Sequence, residues 1–233
     1  MAQLLTDEIF KQAMKWEFEK GISNNPNDKG GPTNDGVTWA HYQENCERVL
    51  NRLPTWKHFI TMTAAEIRQF YARIWDKVNC DGIENAAVAF ACFDFSVNSK
   101  WGKREIQRVL LAQGYDLKAD NYFGPVTIAA INDNVFEHGA ASLINAIYDA
   151  RERYLKSLVV GDVTQQEFEK GWFNRVRDGR TFALNLAMRL DFKRIYPNSA
   201  SGFLTDNLTD KSAKIKDGNG FDGLTETPKK YGI

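Results

Sequence analysis

The sequence predicts a mainly α-helical protein, on three observations. Apolar residues recur at helical spacing in several segments, residues that cap helices precede those segments, and no segment keeps the apolar–polar alternation of a half-buried strand. The chain has 233 residues, enough for one large domain or for two small domains that share a core.

The first predicted helix begins after Thr6 and runs to about Phe18 or Glu19. Its buried stripe is Ile9, Phe10, Ala13 and Met14. Residues 21–36, GISNNPNDKGGPTNDG, are dense in Gly, Asn, Asp and Pro, which predicts a long irregular loop. A strand-like VTW follows this loop.

Further helices are predicted along the rest of the chain. Thr63 and Glu66 have the spacing of a capping box, and residues 84–98 are apolar nearly all round, as a central buried helix would be. The other helices are expected at His41 to Leu53, 103–113, from Pro125, 139–158 and 164–190. Residues 196–233 are poor in large apolar residues and predict a loosely packed or disordered tail.

Charge and cysteine content restrict the function. Basic and acidic residues both number 30, so no net field would attract nucleic acid or an anionic membrane. The three cysteines and three histidines show no metal-ligand spacing, and we expect reduced thiols and no metal or cofactor. No segment predicts a secretory signal or a membrane span, so we expect synthesis in the cytoplasm and no stable membrane insertion.

A glutamate at the end of the first helix, followed by a polar loop, suits glycoside hydrolysis. The reaction needs a carboxylic acid kept neutral by apolar neighbours, and a second carboxylate can hold a water or stabilise the sugar cation. The stretch EKGISNNPNDKGGPTNDGVT resembles the signature of the family-108 glycoside hydrolases. Further resemblances are MTAAEIRQFYARIWDKV, FDFSVNSKWGKREIQRVLL, DNYFGPVTIAAIN and FEKGWFNRV, which extend the match over residues 5–180 in the family's order.

This resemblance implies a lysozyme-like helical fold with a small irregular or β-containing region after the first helix. It implies a muramidase, which cleaves between N-acetylmuramic acid and N-acetylglucosamine in peptidoglycan. We expect a catalytic region at 1–82, a helical peptidoglycan-binding region at 83–195 packed on it, and the tail at 196–233. The setting that it implies is a phage or prophage endolysin or a bacterial autolysin, expected as a monomer and released to act on the cell wall.

Two glutamates compete for the role of the acid. Counted back from the loop without gaps, the family's glutamate falls on Glu19. Helical phase instead puts Glu17 on the apolar stripe, and Glu19 lies about 200° further round the helix. The family's apolar-Lys-Trp-Glu ending also matches at Glu17, which requires two extra loop residues. Because loops accept insertions readily, we favour Glu17, with Glu19 as the alternative if the helix ends at Trp16.

Asp28 is the candidate second carboxylate, and a turn residue within NPND is the equally weighted structural interpretation. Candidate substrate-binding residues are Thr33, Thr38, Tyr42 and Asn98. Tyr42 is one of several aromatic residues that could stack on a sugar, together with Trp39, Trp101 and Trp172. Asn98 follows the buried Asp94 by one helical turn, and a structural polar pair is the favoured interpretation of these two.

Two rival functions remain open. The first is a non-catalytic cell-wall-binding or secretion-related protein that keeps the fold, because Lys20 and Ile22 replace residues of the family signature. The second is a thiol hydrolase that uses Cys46 or Cys92 with His41, which the apolar surroundings of Cys92 disfavour.

Overall fold

The computed structural model describes residues 6–16 and 21–195. These residues form nine α-helices, two short 3₁₀ turns and one small sheet, which confirms the mainly α prediction. The helices are α1 (Asp7–Met14), α2 (Trp39–Leu50), α3 (Trp56–Phe59), α4 (Ala64–Val78), α5 (Ala86–Asn98), α6 (Gly102–Ala112), α7 (Pro125–His138), α8 (Ala140–Gly161) and α9 (Gln166–Ile195). The strands are β1 (Ile22–Ser23), β2 (Thr33–Asn34) and β3 (Val37–Thr38), and the 3₁₀ turns are Cys80–Gly82 and Val163–Gln165.

Helix α5 is the centre of the core, as its composition predicts. All residues from 87 to 95 are buried, including the charged Asp94. Helices α4, α6 and α8 pack around it. Apolar area removed from water is the main stabilising contribution to such a core, so α5 acts as the common support of the surrounding helices.

The small sheet is antiparallel, in the order β1-β2-β3. Thr33 pairs with Thr38 across the second hairpin, and the connection is Asp35-Gly36. Both connecting residues have positive φ, 42° and 80°, as a type I′ turn requires, and Asp-Gly is a preferred sequence for that turn. Part of the predicted irregular loop is therefore an ordered hairpin that faces the helices.

The ends of the helices follow local side-chain chemistry. The capping box of Thr63 and Glu66 is present, as predicted. Helix α2 begins at Trp39 and ends at Leu50, because Asn51 adopts the left-handed conformation (φ 52°) that closes a helix before Pro54 is reached. Thr6 caps α1 as predicted, but α1 ends at Met14, where the Lys15 N–H bonds to the Gln12 carbonyl and tightens the last turn. The prediction of a helix to Phe18 or Glu19 was wrong in this respect.

The chain divides into two units, Met1–Met188 and Arg189–Ile233, and the described residues of the first unit form one compact body. Of the second unit, the structure describes only the end of α9, to Ile195, so the predicted tail at 196–233 lies outside the described residues. None of the helices in the described part of the chain is long and apolar enough to cross a bilayer.

Candidate active site

A cleft of about 520 Å³ opens between the loop and small sheet on one side and helices α8 and α9 on the other. The loop side provides polar groups, the α9 side provides an acid and two aromatic rings, and two arginines lie at the floor. The lining residues are Trp16, Ser23, Asp28, Gly30, Thr33, Gly36, Thr38, Tyr71, Val97, Asn98, Arg151, Leu155, Leu158, Glu167, Phe168, Gly171, Trp172 and Arg175.

The loop side of the cleft is held by hydrogen bonds of its own side chains. Asp28 Oδ1 accepts from the Gly30 N–H at 2.8 Å, which is an Asx turn. Thr33 Oγ1 donates to the Gly31 carbonyl at 3.0 Å, and Thr38 Oγ1 caps α2 by accepting from the His41 N–H at 3.1 Å. These bonds fix the polar groups before any ligand arrives.

The same loop is tied to the connection between α8 and α9. Lys29 Nζ lies 2.7 Å from Asp162 Oδ2, and Gln165 Nε2 donates to the Asn27 carbonyl at 3.1 Å. The hydrogen bond from Lys29, together with those from Thr164, lowers the pKa of Asp162 to about 2. Asp162 is therefore ionised throughout the physiological range, and the two sides of the cleft are joined at this end.

Helix α9 forms the opposite side with residues one turn apart. Phe168 and Trp172 stack with ring centroids 5.8 Å apart and planes at 23°, and both rings are half-buried. Gly171 lies between them, and a Cβ at this position would meet no atom within 4 Å. Glu167 is exposed beside this aromatic pair. The α9 side therefore offers a flat apolar surface with a carboxylate at its edge.

The floor of the cleft rests on one buried carboxylate. Asp94 on α5 pairs with Arg151 on α8 and with Arg175 on α9, and it accepts a hydrogen bond from the Tyr148 hydroxyl at 3.0 Å. Burial alone would raise the pKa of Asp94, but the two guanidinium groups outweigh burial and lower it. The pKa of Tyr148 is raised, first by burial and then by the charge of Asp94.

This cluster also holds the end of the first helix. Arg175 Nη2 donates to the Ala13 carbonyl at 3.1 Å, next to the last residue of α1. Arg151 Nη2 donates to Asn98 Oδ1 at 3.1 Å, so Asp94 and Asn98 are joined through one arginine. The cluster thus fixes α1, α5, α8 and α9 at the base of the cleft.

Five of the residues predicted from the sequence come together here, since Asp28, Thr33, Thr38, Asn98 and Trp172 all line the cleft. Tyr42 does not. Its side chain is fully buried, stacks on Trp39, and its hydroxyl bonds to His58 Nδ1 at 2.8 Å. Because a fully buried ring cannot touch a ligand, Tyr42 is a core residue and the expectation of substrate contact was wrong.

Glu17 and Glu19 lie outside the described residues. The phase argument for Glu17 required a helix that continues through this segment, and α1 ends at Met14. The register of the loop, which points to Glu19, does not depend on that helix. Trp16, the last described residue before this segment, lines the cleft.

Sequence reasoning missed Glu167, Phe168, Arg151 and Arg175 as parts of the site. Two of them, Phe168 and Arg175, belong to FEKGWFNRV, the segment matched to the family's F-x-x-G-W-x-x-R pattern, and that spacing could have located one helical face at the cleft. The thiol hydrolase is not supported, because Cys46 and Cys92 are fully buried and neither lines the cleft. Among the described residues, no group of three or more His, Cys, Asp or Glu side chains could hold a metal ion.

Fold and cleft together define a lysozyme-like helical protein. Residues 10–99 match the family model described as glycosyl hydrolase 108, and residues 102–177 match the one described as a predicted peptidoglycan domain. The chain thus carries a glycosyl hydrolase 108 region followed by a peptidoglycan domain, which confirms the resemblance found in the loop motif.

Among solved structures, the chain is similar to SagA of Brucella abortus, with 27% identity and a TM-score of 0.61. That match covers 77% of this chain and 94% of the other. No curated protein matched the sequence. These findings make the protein a peptidoglycan-related glycoside hydrolase.

Proposed function

We propose that the protein is an N-acetylmuramidase, which cleaves peptidoglycan strands between N-acetylmuramic acid and N-acetylglucosamine. The observation that carries this proposal is the shared cleft. The hydrolase region supplies Asp28 and the threonines, and the peptidoglycan domain supplies Trp172 and Arg175. A polymer bound by the domain would therefore already lie beside the hydrolytic groups.

A glutamate of the segment after Trp16 is the general acid in this proposal. It would protonate the glycosidic oxygen, a step that requires its carboxyl group to be neutral near pH 7. The register of the loop favours Glu19, now that the helical phase no longer applies. Glu17 remains the alternative, since it directly follows the cleft residue Trp16.

Asp28 is the second carboxylate in this proposal. It lies in the cleft, half-buried, and its Oδ1 is oriented by the Gly30 N–H. In this position it can hold a water on the opposite face of the sugar or stabilise positive charge that develops on the ring. Thr33 and Thr38 lie beside it and can bond sugar hydroxyl groups.

The aromatic pair on α9 is the proposed sugar platform. Aromatic rings offer flat apolar area at low cost in conformational entropy. The open space at Gly171, together with the adjacent Trp172 and Phe168, leaves room for a pyranose ring. Such stacking would bind the strand. Asn98 and Thr38, which also line the cleft, could form hydrogen bonds with the polar groups of the sugars.

Two isosteric substitutions test the proposal. Glu17→Gln and Glu19→Gln remove the proton donor at each position and keep the side-chain volume, and Glu47→Gln on the exposed side of α2 is the matched control. One of the two should lower the clearing of purified peptidoglycan by roughly 10²- to 10⁴-fold, and the control should not change it.

Clearing that persists in both variants, and in the double variant, would disprove a glutamate acid in this segment. A wild-type protein that binds peptidoglycan without clearing it would favour the non-catalytic wall-binding function. The proposed activity also requires that the protein reach the cell wall, which we propose it does after release from the cytoplasm.

A further inference from the structure

A second concave surface lies between α6 and α8, in the peptidoglycan domain. This groove of about 450 Å³ is lined by three arginines, Arg104, Arg108 and Arg153, and by a single acid, Glu105. Among its lining residues, three positive charges against one negative leave an excess of two. The groove therefore has a positive local charge although the whole chain has a net charge of zero.

The three arginines are held differently. Glu105 Oε1 lies 2.8 Å from Arg108 Nη1 and 3.5 Å from Arg104 Nε, so this acid partly neutralises both. The Arg104 guanidinium carbon also lies 4.1 Å from the centroid of the Trp101 ring, which fixes its plane. Arg153 is exposed and makes no ion pair with another described residue. The guanidinium group of Arg104 is therefore fixed in position, and that of Arg153 is available to a ligand. A guanidinium group can bind a carboxylate through two parallel hydrogen bonds.

Helix α8 separates this groove from the cleft. Arg151 and Leu155 face the cleft, whereas Arg153 and Tyr154 face the groove. Since successive residues turn by about 100°, Arg153 lies roughly 200° round the helix from Arg151. The two surfaces are therefore about one helix diameter apart, roughly 10–12 Å.

This separation fits the geometry of a peptide attached to a sugar in the cleft. The muramic acid of peptidoglycan carries a short stem peptide with free carboxylates. The peptide must run round α8 and not through it, and the shorter way round, about 160° of the helix surface, is a path of roughly 14–17 Å. An extended peptide spans about 3.3–3.6 Å per residue, so about four to five residues cover this path. A sugar strand in the cleft could thus place stem carboxylates in the groove.

We infer that the arginine groove between α6 and α8 binds the carboxylates of the stem peptide on the muramic acid held in the cleft. The inference rests on the proposed function, since it assumes a peptidoglycan strand in the cleft. It gives the peptidoglycan domain a specificity role that the sugar contacts cannot supply. Because the groove is open to solvent, its binding weakens as salt concentration rises.

The test is a binding measurement in which catalysis plays no part. The full chain with Glu17→Gln and Glu19→Gln is sedimented with purified peptidoglycan from which phosphate-bearing polymers have been removed. The same material, stripped of stem peptides by an amidase, is the second ligand, and walls that retain their phosphate-bearing polymers are the third. Arg108→Gln/Arg153→Gln alters the groove at two exposed positions, and Arg48→Gln/Arg52→Gln is the matched control at exposed arginines elsewhere.

The groove variant should bind intact peptidoglycan roughly five- to tenfold more weakly and bind stripped strands as the parent does. The control should match the parent on both ligands. Equal binding of parent and groove variant to intact peptidoglycan would overturn the inference, and so would an equal loss on both ligands. A loss seen only on walls that retain their phosphate polymers would also overturn it, in favour of phosphate as the ligand. Failure of the proposed function is distinguishable, because it would appear as absent cleavage of peptidoglycan by the unsubstituted protein.

Discussion

The carboxylate of Asp28 both closes a turn of the loop and lines the cleft. Its Oδ1 accepts from the Gly30 N–H, which closes the turn, and the group also lines the cleft. A Cβ at Gly30 would lie 3.0 Å from that oxygen, so the turn leaves little room for a side chain there. The two interpretations of Asp28 from the sequence, a turn residue and a catalytic carboxylate, are therefore compatible. A substitution that removes the charge and keeps the shape of the side chain can separate them.

Asp28→Asn makes that change. Asn keeps an acceptor oxygen for the Gly30 N–H but loses the negative charge. We expect the thermal unfolding midpoint to stay close to that of the parent, while kcat on peptidoglycan falls by roughly 10²-fold or more. Full activity of Asp28→Asn would mean that Asp28 acts only as a turn residue. Asp28→Ala, which removes the turn bond as well, should lower both stability and activity.

At the scale of elements, helix α9 depends on a glycine where it crosses the buried cluster. A Cβ at Gly179 would lie 2.4 Å from Asp94 Oδ2 and 2.6 Å from the Tyr148 hydroxyl. No flexible group can give way there, because both contacts belong to the buried cluster that supports the cleft floor. The close approach of α9 to α5 and α8 therefore requires glycine.

Gly179→Ala should accordingly destabilise the fold by about 1–3 kcal/mol or more, through overpacking and displacement of Asp94. Gly171→Ala is the matched control on the same helix, because its Cβ would meet no atom within 4 Å. That control should be neutral or stabilising by up to about 1 kcal/mol, since alanine favours the helix. Chemical denaturation measures both. Equal stability of the two variants would contradict the close packing at Gly179.

Prediction from the sequence succeeded where the signal was local. The capping box at Thr63 and the buried helix over 84–98 depend on nearby residues, and both are present. The segment over 21–36 was predicted as an irregular loop, although its Asp-Gly pair before VTW is a local hairpin signal, and a type I′ turn is present at Asp35-Gly36.

The features that the sequence did not predict correctly depend on contacts between residues far apart in the chain. Tyr42 has the composition of a sugar-stacking residue, but its neighbours Trp39 and Phe59 enclose it. The pairing of Asp94 with Arg151 and Arg175 joins residues 57 and 81 positions apart, which no local pattern reveals. The aromatic side of the cleft on α9 likewise depends on where α9 packs, although its motif was visible in the sequence.

At the scale of the whole molecule, the two matched regions contribute residues to one cleft. The loop of the hydrolase region and the α8–α9 connection of the peptidoglycan domain are joined by Lys29 with Asp162 and by Gln165 with the Asn27 carbonyl. The boundary at residue 82, with the second region packed on the first, stays a prediction, and residues from both matched regions line one cleft. We expect these two contacts, which form the joint between the regions, to affect the rate of catalysis more than the stability of the fold.

Lys29→Gln tests this joint. It removes the ion pair and leaves the bonds of Asp162 to Thr164 in place. We expect kcat to fall by about two- to fivefold with little change in thermal stability, because the pair is at the surface. Lys77→Gln, which breaks the surface pair with Glu44, is the control and should leave kcat unchanged.

The pH dependence of this effect follows from Asp162. Its folded pKa of about 2 lies below its unfolded value, so the contribution of the pair is complete above that unfolded value and is lost as pH falls toward 2. The ratio of kcat between parent and Lys29→Gln should therefore be constant from about pH 5 to 8. A ratio that changes within this range would mean that another group controls the joint.

The most direct test of the central claim identifies the bond that is cut. Purified peptidoglycan is digested with the protein, the products are reduced with borohydride, and the new ends are analysed by mass spectrometry after acid hydrolysis. A muramidase exposes muramic acid at each new reducing end, so we predict muramitol, and no products with the variant that lacks the catalytic glutamate. Glucosaminitol at the new ends, or no new ends with the unsubstituted protein, would contradict the proposed function.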